Sequence, residues 1–160
     1  MSFLSKLFSA GAVFQKGMVL DRACVYGDEG FWIRQAYREL FQQQLITAVV
    51  RMGDRSNPSD FRHIRKGVPI PVRFIIKPGI PKKGIKGDLF PDDGTTIERT
   101  ECIVKRIGEL TLDDLQGTAP DTATSELVRY HLATINNSSL PSMDTVITIW
   151  RFTYLPKTTL

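Results

Sequence analysis

Two cysteines and two histidines are the only thiols and imidazoles in this chain of 160 residues. Cys24 and Cys102 stand far apart in no C-x-x-C spacing, and His63 and His131 complete no zinc pattern with them. No metal site and no disulfide framework is therefore expected, and the two thiols read as free, as in a cytoplasmic protein. No apolar run reaches the roughly 18–20 residues needed to cross a bilayer, so no membrane partner is expected. Neither G-x-x-x-x-G-K-[ST] nor G-x-G-x-x-G occurs, and Gly84 to Asp88 (GIKGD) matches neither, so no cofactor is implied. Phe3, Leu4, Leu7 and Phe8 fall at helical spacing. Ser5, Lys6, Ser9 and Gly11 interrupt them, whereas a secretory signal has a continuous apolar core of about 7–15 residues. The pattern predicts a short amphipathic helix that packs on the domain or on a partner.

What is present is ordinary in bulk and uneven in placement. The composition, 42% hydrophobic and 24% charged, is that of a folded globular domain rather than a disordered chain. The net charge is only +4, yet residues 51–86 hold ten basic residues against Asp54 and Asp60, a local +8 that leaves −4 for the remainder. Concentration of one sign in one segment points to a polyanionic partner. Lys82, Lys83 and Lys86 stand among glycines and prolines beside Phe90. A basic loop with one aromatic suits a single strand of nucleic acid, with the lysines on phosphates and the ring under a base.

Periodicity supplies a coarse outline. Residues 17–26 read as a first strand and 27–30 as a turn. Ile33, Ala36, Tyr37, Leu40 and Phe41 form an apolar stripe that predicts a helix over 31–44. Residues 45–52 (LITAVVRM) read as a buried strand, 53–60 as a polar loop and 68–76 as a strand. Pro69 and Pro71 donate nothing to a ladder, which places that strand at an edge or turns its missing donors outward. Residues 77–94 read as a long loop and 95–107 as a strand. Thr111 to Asp114 has the form of a capping box that starts a short helix, with hydroxyl and carboxylate serving each other's N–H groups. A helix over 122–136, with Val128, Leu132 and Ile135 as its core stripe, and a strand over 145–155 complete the chain. The class is α+β.

The residues within this order resemble the activating-signal-cointegrator-homology (ASCH) branch of the PUA-like superfamily. Phe41 to Arg51 (FQQQLITAVVR) is similar to the element that carries G-x-K-T-x-T-x-R in that family. Lys66 to Phe74 (KGVPIPVRF), Cys102 to Leu115 (CIVKRIGELTLDDL), Ser125 to Leu127 and Val146 to Phe152 (VITIWRF) resemble the later elements. The match covers about residues 31–155. It implies a small β-barrel with flanking helices over 31–160, preceded by an N-terminal extension, residues 1–30, packed on that domain. Enzymatic members, which hydrolyse acetylated cytidine or cleave RNA, use a Lys and a Thr of the first motif and a Glu before the second helix. Here Thr47 and Arg51 keep their types. The Lys position falls on Ile46, the second Thr position on Val49, and the Glu position near Pro120, with Asp121 the nearest acid.

The expected function is binding of RNA or single-stranded nucleic acid, or of a modified nucleotide, through the basic segment and a barrel pocket. The nucleic-acid-binding residues are expected to be Arg51, Arg55, Arg62, Arg65, Lys66, Arg73, Lys82, Lys83 and Lys86. Ile and Val supply neither a base nor a nucleophile, so catalysis would have to rest on Thr47 and Asp121, with His63 and Arg51 beside them. Two alternatives stand beside binding. One is a hydrolase of modified nucleosides or a ribonuclease. The other is a degenerate barrel that serves as a protein-interaction scaffold or homo-oligomer through residues 1–30. His131 and the two tryptophans, Trp32 and Trp150, read as packing residues.

Overall fold

The computed structural model describes residues 23–25, 31–60, 63–75, 86–88 and 94–157. The expected amphipathic start, the turn at 27–30, Arg62, Lys82, Lys83 and most of the loop 77–94 lie outside these residues. Seven strands are described: β1 (Ala23–Val25), β2 (Phe31–Arg34), β3 (Ala48–Met52), β4 (Pro69–Ile75), β5 (Lys86–Asp88), β6 (Thr96–Arg106) and β7 (Val146–Tyr154). Two α-helices accompany them, α1 (Arg38–Gln42) and α2 (Ser125–Asn136). The strands hydrogen-bond in the order β2-β4-β6-β7-β3, and β1 pairs separately with β5. The α+β class expected from the sequence is the class of the structure. The described sheet is five-stranded, mixed and open, with β2 and β3 at its ends, and is not a closed barrel.

The chain forms two compact units, interleaved in sequence. The first comprises the described residues of 1–42, 69–97 and 154–160. In it β2 runs parallel to β4, with Phe31 opposite Val72 and Arg34 opposite Ile75. The helix expected from residue 31 is thus a strand for its first four residues. Phe31 and Ile33 are buried, while Trp32 and Arg34 are half-buried between them. That spacing of two, in aromatic and β-branched residues, satisfies a strand better than a helix. The helix survives only as α1, preceded by a 3-10 turn at Gln35–Tyr37 and followed by Gln44 at φ 58°. Phe41 packs edge-on against Phe74 and Tyr154, at centroid distances of 6.0 and 6.2 Å. Strand β4 lies between β2 and β6 and is not an edge. On its β2 side the prolines lie outside the ladder, because the register with β2 begins at Val72, beyond Pro69 and Pro71.

The second unit comprises 43–68 and 98–153. Strand β3 pairs antiparallel with β7, Ala48 opposite Arg151 and Met52 opposite Ile147. Its core gathers Ala48 and Val50 of β3, Ile147 and Ile149 of β7, and the expected stripe Val128, Leu132 and Ile135 of α2. Thr124 starts α2 by accepting a hydrogen bond from the Leu127 N–H at 3.2 Å, and Asn137 ends it in the left-handed region at φ 49°.

The turn 111–118 is braced from several sides. The Thr111 N–H donates to Asp114 Oδ2 at 2.8 Å and the Asp114 N–H to Thr111 Oγ1 at 3.2 Å, the reciprocal box expected from the sequence, but it closes a turn and not the short helix expected there. Lys105 Nζ reaches both oxygens of the same carboxylate, at 3.1 and 2.9 Å. The Arg151 guanidinium donates to the carbonyls of Asp113, Asp114 and Gln116. From the far side, the N–H groups of Thr47 and Ala48 donate to the Gly117 carbonyl at 2.8 and 3.1 Å.

Candidate nucleic-acid interface

The polar loop after β3 folds on local side-chain bonds. Asp54 Oδ1 accepts from the Ser56 N–H and hydroxyl at 2.9 and 2.6 Å, and Asn57 Oδ1 accepts from the Ser59 N–H at 2.9 Å. These are turn contacts that Asp and Asn make readily. One fully buried hydroxyl ties the loop to β7: Thr148 Oγ1 donates to the Gly53 carbonyl at 2.7 Å and accepts from the Arg55 N–H at 2.9 Å. The loop closes where His63 Nδ1 lies 2.8 Å from the Arg55 carbonyl. A carbonyl only accepts, so Nδ1 carries the proton and the neutral ring keeps its lone pair on Nε2.

This bracing holds His63 edge-on to Trp150, with ring centroids 5.7 Å apart. Trp150 is 1% exposed and stands opposite Val49 in the β3–β7 ladder. The Arg99 guanidinium of β6 lies over the same indole, 5.4 Å from its centroid, within the range of a cation–π contact. Lys66 and Arg99 face each other in an isolated β-bridge, and the Gly67 N–H donates to the Arg99 carbonyl at 3.2 Å. Arg65 and Lys66 are both exposed. The second unit thus brings Arg55, His63, Arg65, Lys66, Arg99 and Trp150 together. Cys102, three residues along β6 from Arg99, is half-buried and free; burial pushes its thiol up against the opposing pull of Arg99.

Arg51 is not in this group, and Arg73 and Lys86 belong to the first unit. Arg51 is half-buried on β3 opposite Thr148, and its Nη1 donates to the Val50 carbonyl at 3.0 Å. Arg55 Nε donates to the Met52 carbonyl at 3.1 Å. Arg73 belongs to the first unit and is 2% exposed, between the buried neighbours Val72 and Phe74. Side chains alternate along a strand, so both faces of β4 are covered there. That burial takes Arg73 out of the exposed basic set to which the sequence pattern assigned it. Lys86 lies in β5 opposite Val25.

Thr47 is exposed and sits against Gly117. Ile46 and Val49, the residues at the Lys and Thr positions of the ASCH motif, are both buried. Asp121 lies in the 3-10 turn Pro120–Thr122, with Oδ2 3.3 Å from His131 Nδ1 of α2. Among the described residues no cluster of three or more His, Cys, Asp or Glu is placed to hold a metal ion. No described helix is long and apolar enough to cross a membrane.

Arg99 and Trp150 were not singled out as functional by the sequence, nor was the contact that Asp121, a candidate it did name, makes with His131. Arg99 lies outside the basic segment, in a strand with acids on both sides, and nothing in its spacing marks it. Trp150 reads as core, and it is core; its relation to Arg99 comes only from the sheet. The contact of Asp121 with His131 joins a turn to the second turn of a helix ten residues on, and no motif of fixed spacing reports it. No family model, curated protein or solved structure matches this chain.

Proposed function

We propose that the chain binds RNA or single-stranded nucleic acid, in the manner of an ASCH-like module whose catalytic positions have lapsed, and that the second unit carries the interface. The observation that supports this best is the grouping of exposed Arg65 and Lys66 with His63 and Arg99 on one bridged pair of segments. His63, Arg65 and Lys66 belong to a segment of net +8 within a chain of net +4, and Arg99 joins them from outside it. Cations there neutralise phosphates and release counterions, so the affinity is dominated by charge and falls with salt. The test is fluorescence anisotropy of labelled 12-nucleotide RNA and DNA strands titrated at several salt concentrations. Log affinity should fall linearly with log salt, with a slope of about −0.7 per phosphate contact for a single strand. Undetectable binding of every strand at low salt refutes the proposal.

One observation favours a second reading, a hydrolase of modified nucleosides or of RNA: the 3.3 Å approach of Asp121 to His131, whose side chain is 8% exposed. An acid on one imidazole nitrogen fixes the ring and its tautomer, an arrangement that general-base chemistry uses. Acetylated cytidine and end-labelled RNA are the substrates to try. Product release that Asp121→Asn or Thr47→Ala abolishes would establish this reading, and turnover unaffected by either would remove those residues from it.

A further inference from the structure

We infer that Arg99 and Lys66 form a phosphate site on the second unit, in which Trp150 orients the Arg99 guanidinium and Lys66 supplies a point charge. The inference rests on the nucleic-acid reading above and names the contact that gives it geometric specificity. Neither residue pair nor orientation is implied by the basic segment alone, because Arg99 stands outside it.

The argument begins with the indole. Trp150 is locked in the β3–β7 ladder and is 1% exposed, so it offers no face on which a base could stack as it stands. What it offers is a fixed surface for a cation, and Arg99 occupies it at 5.4 Å. A guanidinium held over a ring by cation–π attraction spends no N–H donor on a carboxylate and keeps its donors for another partner. Arg99 Nε is buried and, among the described residues, has no hydrogen-bond partner. Nε itself is closed to solvent, so an oxyanion would meet the half-buried guanidinium at its Nη edge.

Other long cations of the same unit are employed differently. Lys105 is bonded to Asp114, Arg129 to Glu126 and Arg151 to Glu101, so their charges are matched by carboxylates. Arg99 is held by a neutral ring instead. Lys66 faces it across the bridge and Arg65 precedes Lys66, and both are exposed. Glu98 is the nearest acid in sequence, and successive side chains point to opposite faces of a strand. Its carboxylate lies on the Gly67 side, 3.6 Å from where a Cβ on that glycine would stand. Two cations on neighbouring segments, one oriented and one mobile, suit the oxygens of a phosphate group: the fork sets direction and the ammonium adds attraction.

The chain has two tryptophans, so Trp32→Phe leaves Trp150 as the sole indole reporter. In that background Trp150 emission is followed while 12-nucleotide oligouridylate, and separately sodium pyrophosphate, is added at low salt. Both should change the emission, because the phosphate draws on the guanidinium that lies over the ring. Arg99→Lys keeps the charge and loses the fork. It should abolish the emission change and weaken oligouridylate binding about ten-fold, the scale of one charge-assisted pair, with the salt slope kept. Arg99→Gln should do the same and also lower the slope by about one contact, as should Lys66→Ala, which leaves the emission change in place. Oligouridylate bound equally by wild type and Arg99→Lys overturns the site and leaves the nucleic-acid reading intact. Oligouridylate not bound by wild type overturns that reading, while a pyrophosphate response lost in Arg99→Lys still upholds the site. Absence of both responses overturns both.

Discussion

Gly117→Ala is the substitution whose cost the structure sets most closely. Gly117 has φ +78°, in the left-handed region, where an L-residue with a Cβ costs about 1–2 kcal/mol. The new methyl would also stand 2.1 Å from Thr47 Oγ1, far inside contact distance, and 3.4 Å from Thr47 Cβ. Thr47 is exposed and can rotate its hydroxyl away, at about 0.5–1.5 kcal/mol for leaving its preferred rotamer. The two terms together make the expected loss about 2–3 kcal/mol. Only the second depends on Thr47. Thr47→Ala alone should be nearly neutral, and in its background Gly117→Ala should cost about 1–2 kcal/mol, the backbone share. Urea unfolding of wild type, both single variants and the double variant, followed by far-ultraviolet circular dichroism and by fluorescence, gives the coupling directly. A coupling energy below about 0.3 kcal/mol refutes the close approach of residues 47 and 117. A loss below about 0.5 kcal/mol for Gly117→Ala itself refutes the left-handed turn. The cycle also bears on Thr47 as a nucleophile, since the same geometry gives its hydroxyl a packing role beside the turn.

Thr148→Val keeps the shape of a fully buried side chain but strands the Gly53 carbonyl and the Arg55 N–H, and should cost about 1–3 kcal/mol in urea unfolding, with faster amide exchange at Arg55. No loss would mean that the loop is not tied to β7. Burial pushes the Asp114 carboxyl up, but the bonds from Lys105 and Thr111 outweigh it and hold the group below its ordinary value. A depressed folded pKa contributes stability above the unfolded value and loses it as pH falls through the folded one, so Asp114→Asn should destabilise at neutral pH and flatten the decline below about pH 4. Urea midpoints measured from pH 7 down to pH 3 check this, and an unchanged acid slope would contradict it.

Much of the second unit was legible because its signals are local. The stripe Val128, Leu132 and Ile135 is buried as its spacing demands, Thr111 and Asp114 close the box that their separation allows, and 146–154 is the strand that its β-branched run predicts. The first unit was less legible where two periods overlap. Phe31, Ile33, Ala36, Tyr37, Leu40 and Phe41 fit a helix from end to end. The pairing of β2 with β4, remote in sequence, decides for a strand at the start, and Ala36 is left exposed. Local pattern cannot weigh a partner strand some forty residues away. The same limit applies to β4, whose prolines suggested an edge. On the β2 side their tolerance depends on where that register begins.

The candidate site divides along the same line. The basic segment is a property of composition and can be counted, and it led to Arg65 and Lys66, which are exposed. Counting also swept in Arg73, which a strand with both faces covered keeps at 2% exposure, since charge along a sequence carries no information about which side of a sheet a residue meets. Arg99 is the converse. Its own neighbours include Glu98 and Glu101, and by net charge that stretch of β6 offers an anion nothing. What distinguishes it is a tryptophan fifty-one residues later, brought under the guanidinium by the sheet, and a lysine brought opposite it by the bridge. A cation held by a ring differs from one held by a carboxylate in what it has left to give. The ion pair has already met its acceptor, whereas a guanidinium held over a ring still has donors to place. An anion surface in this unit is therefore defined less by how many cations a segment carries than by which of them the fold leaves without a carboxylate.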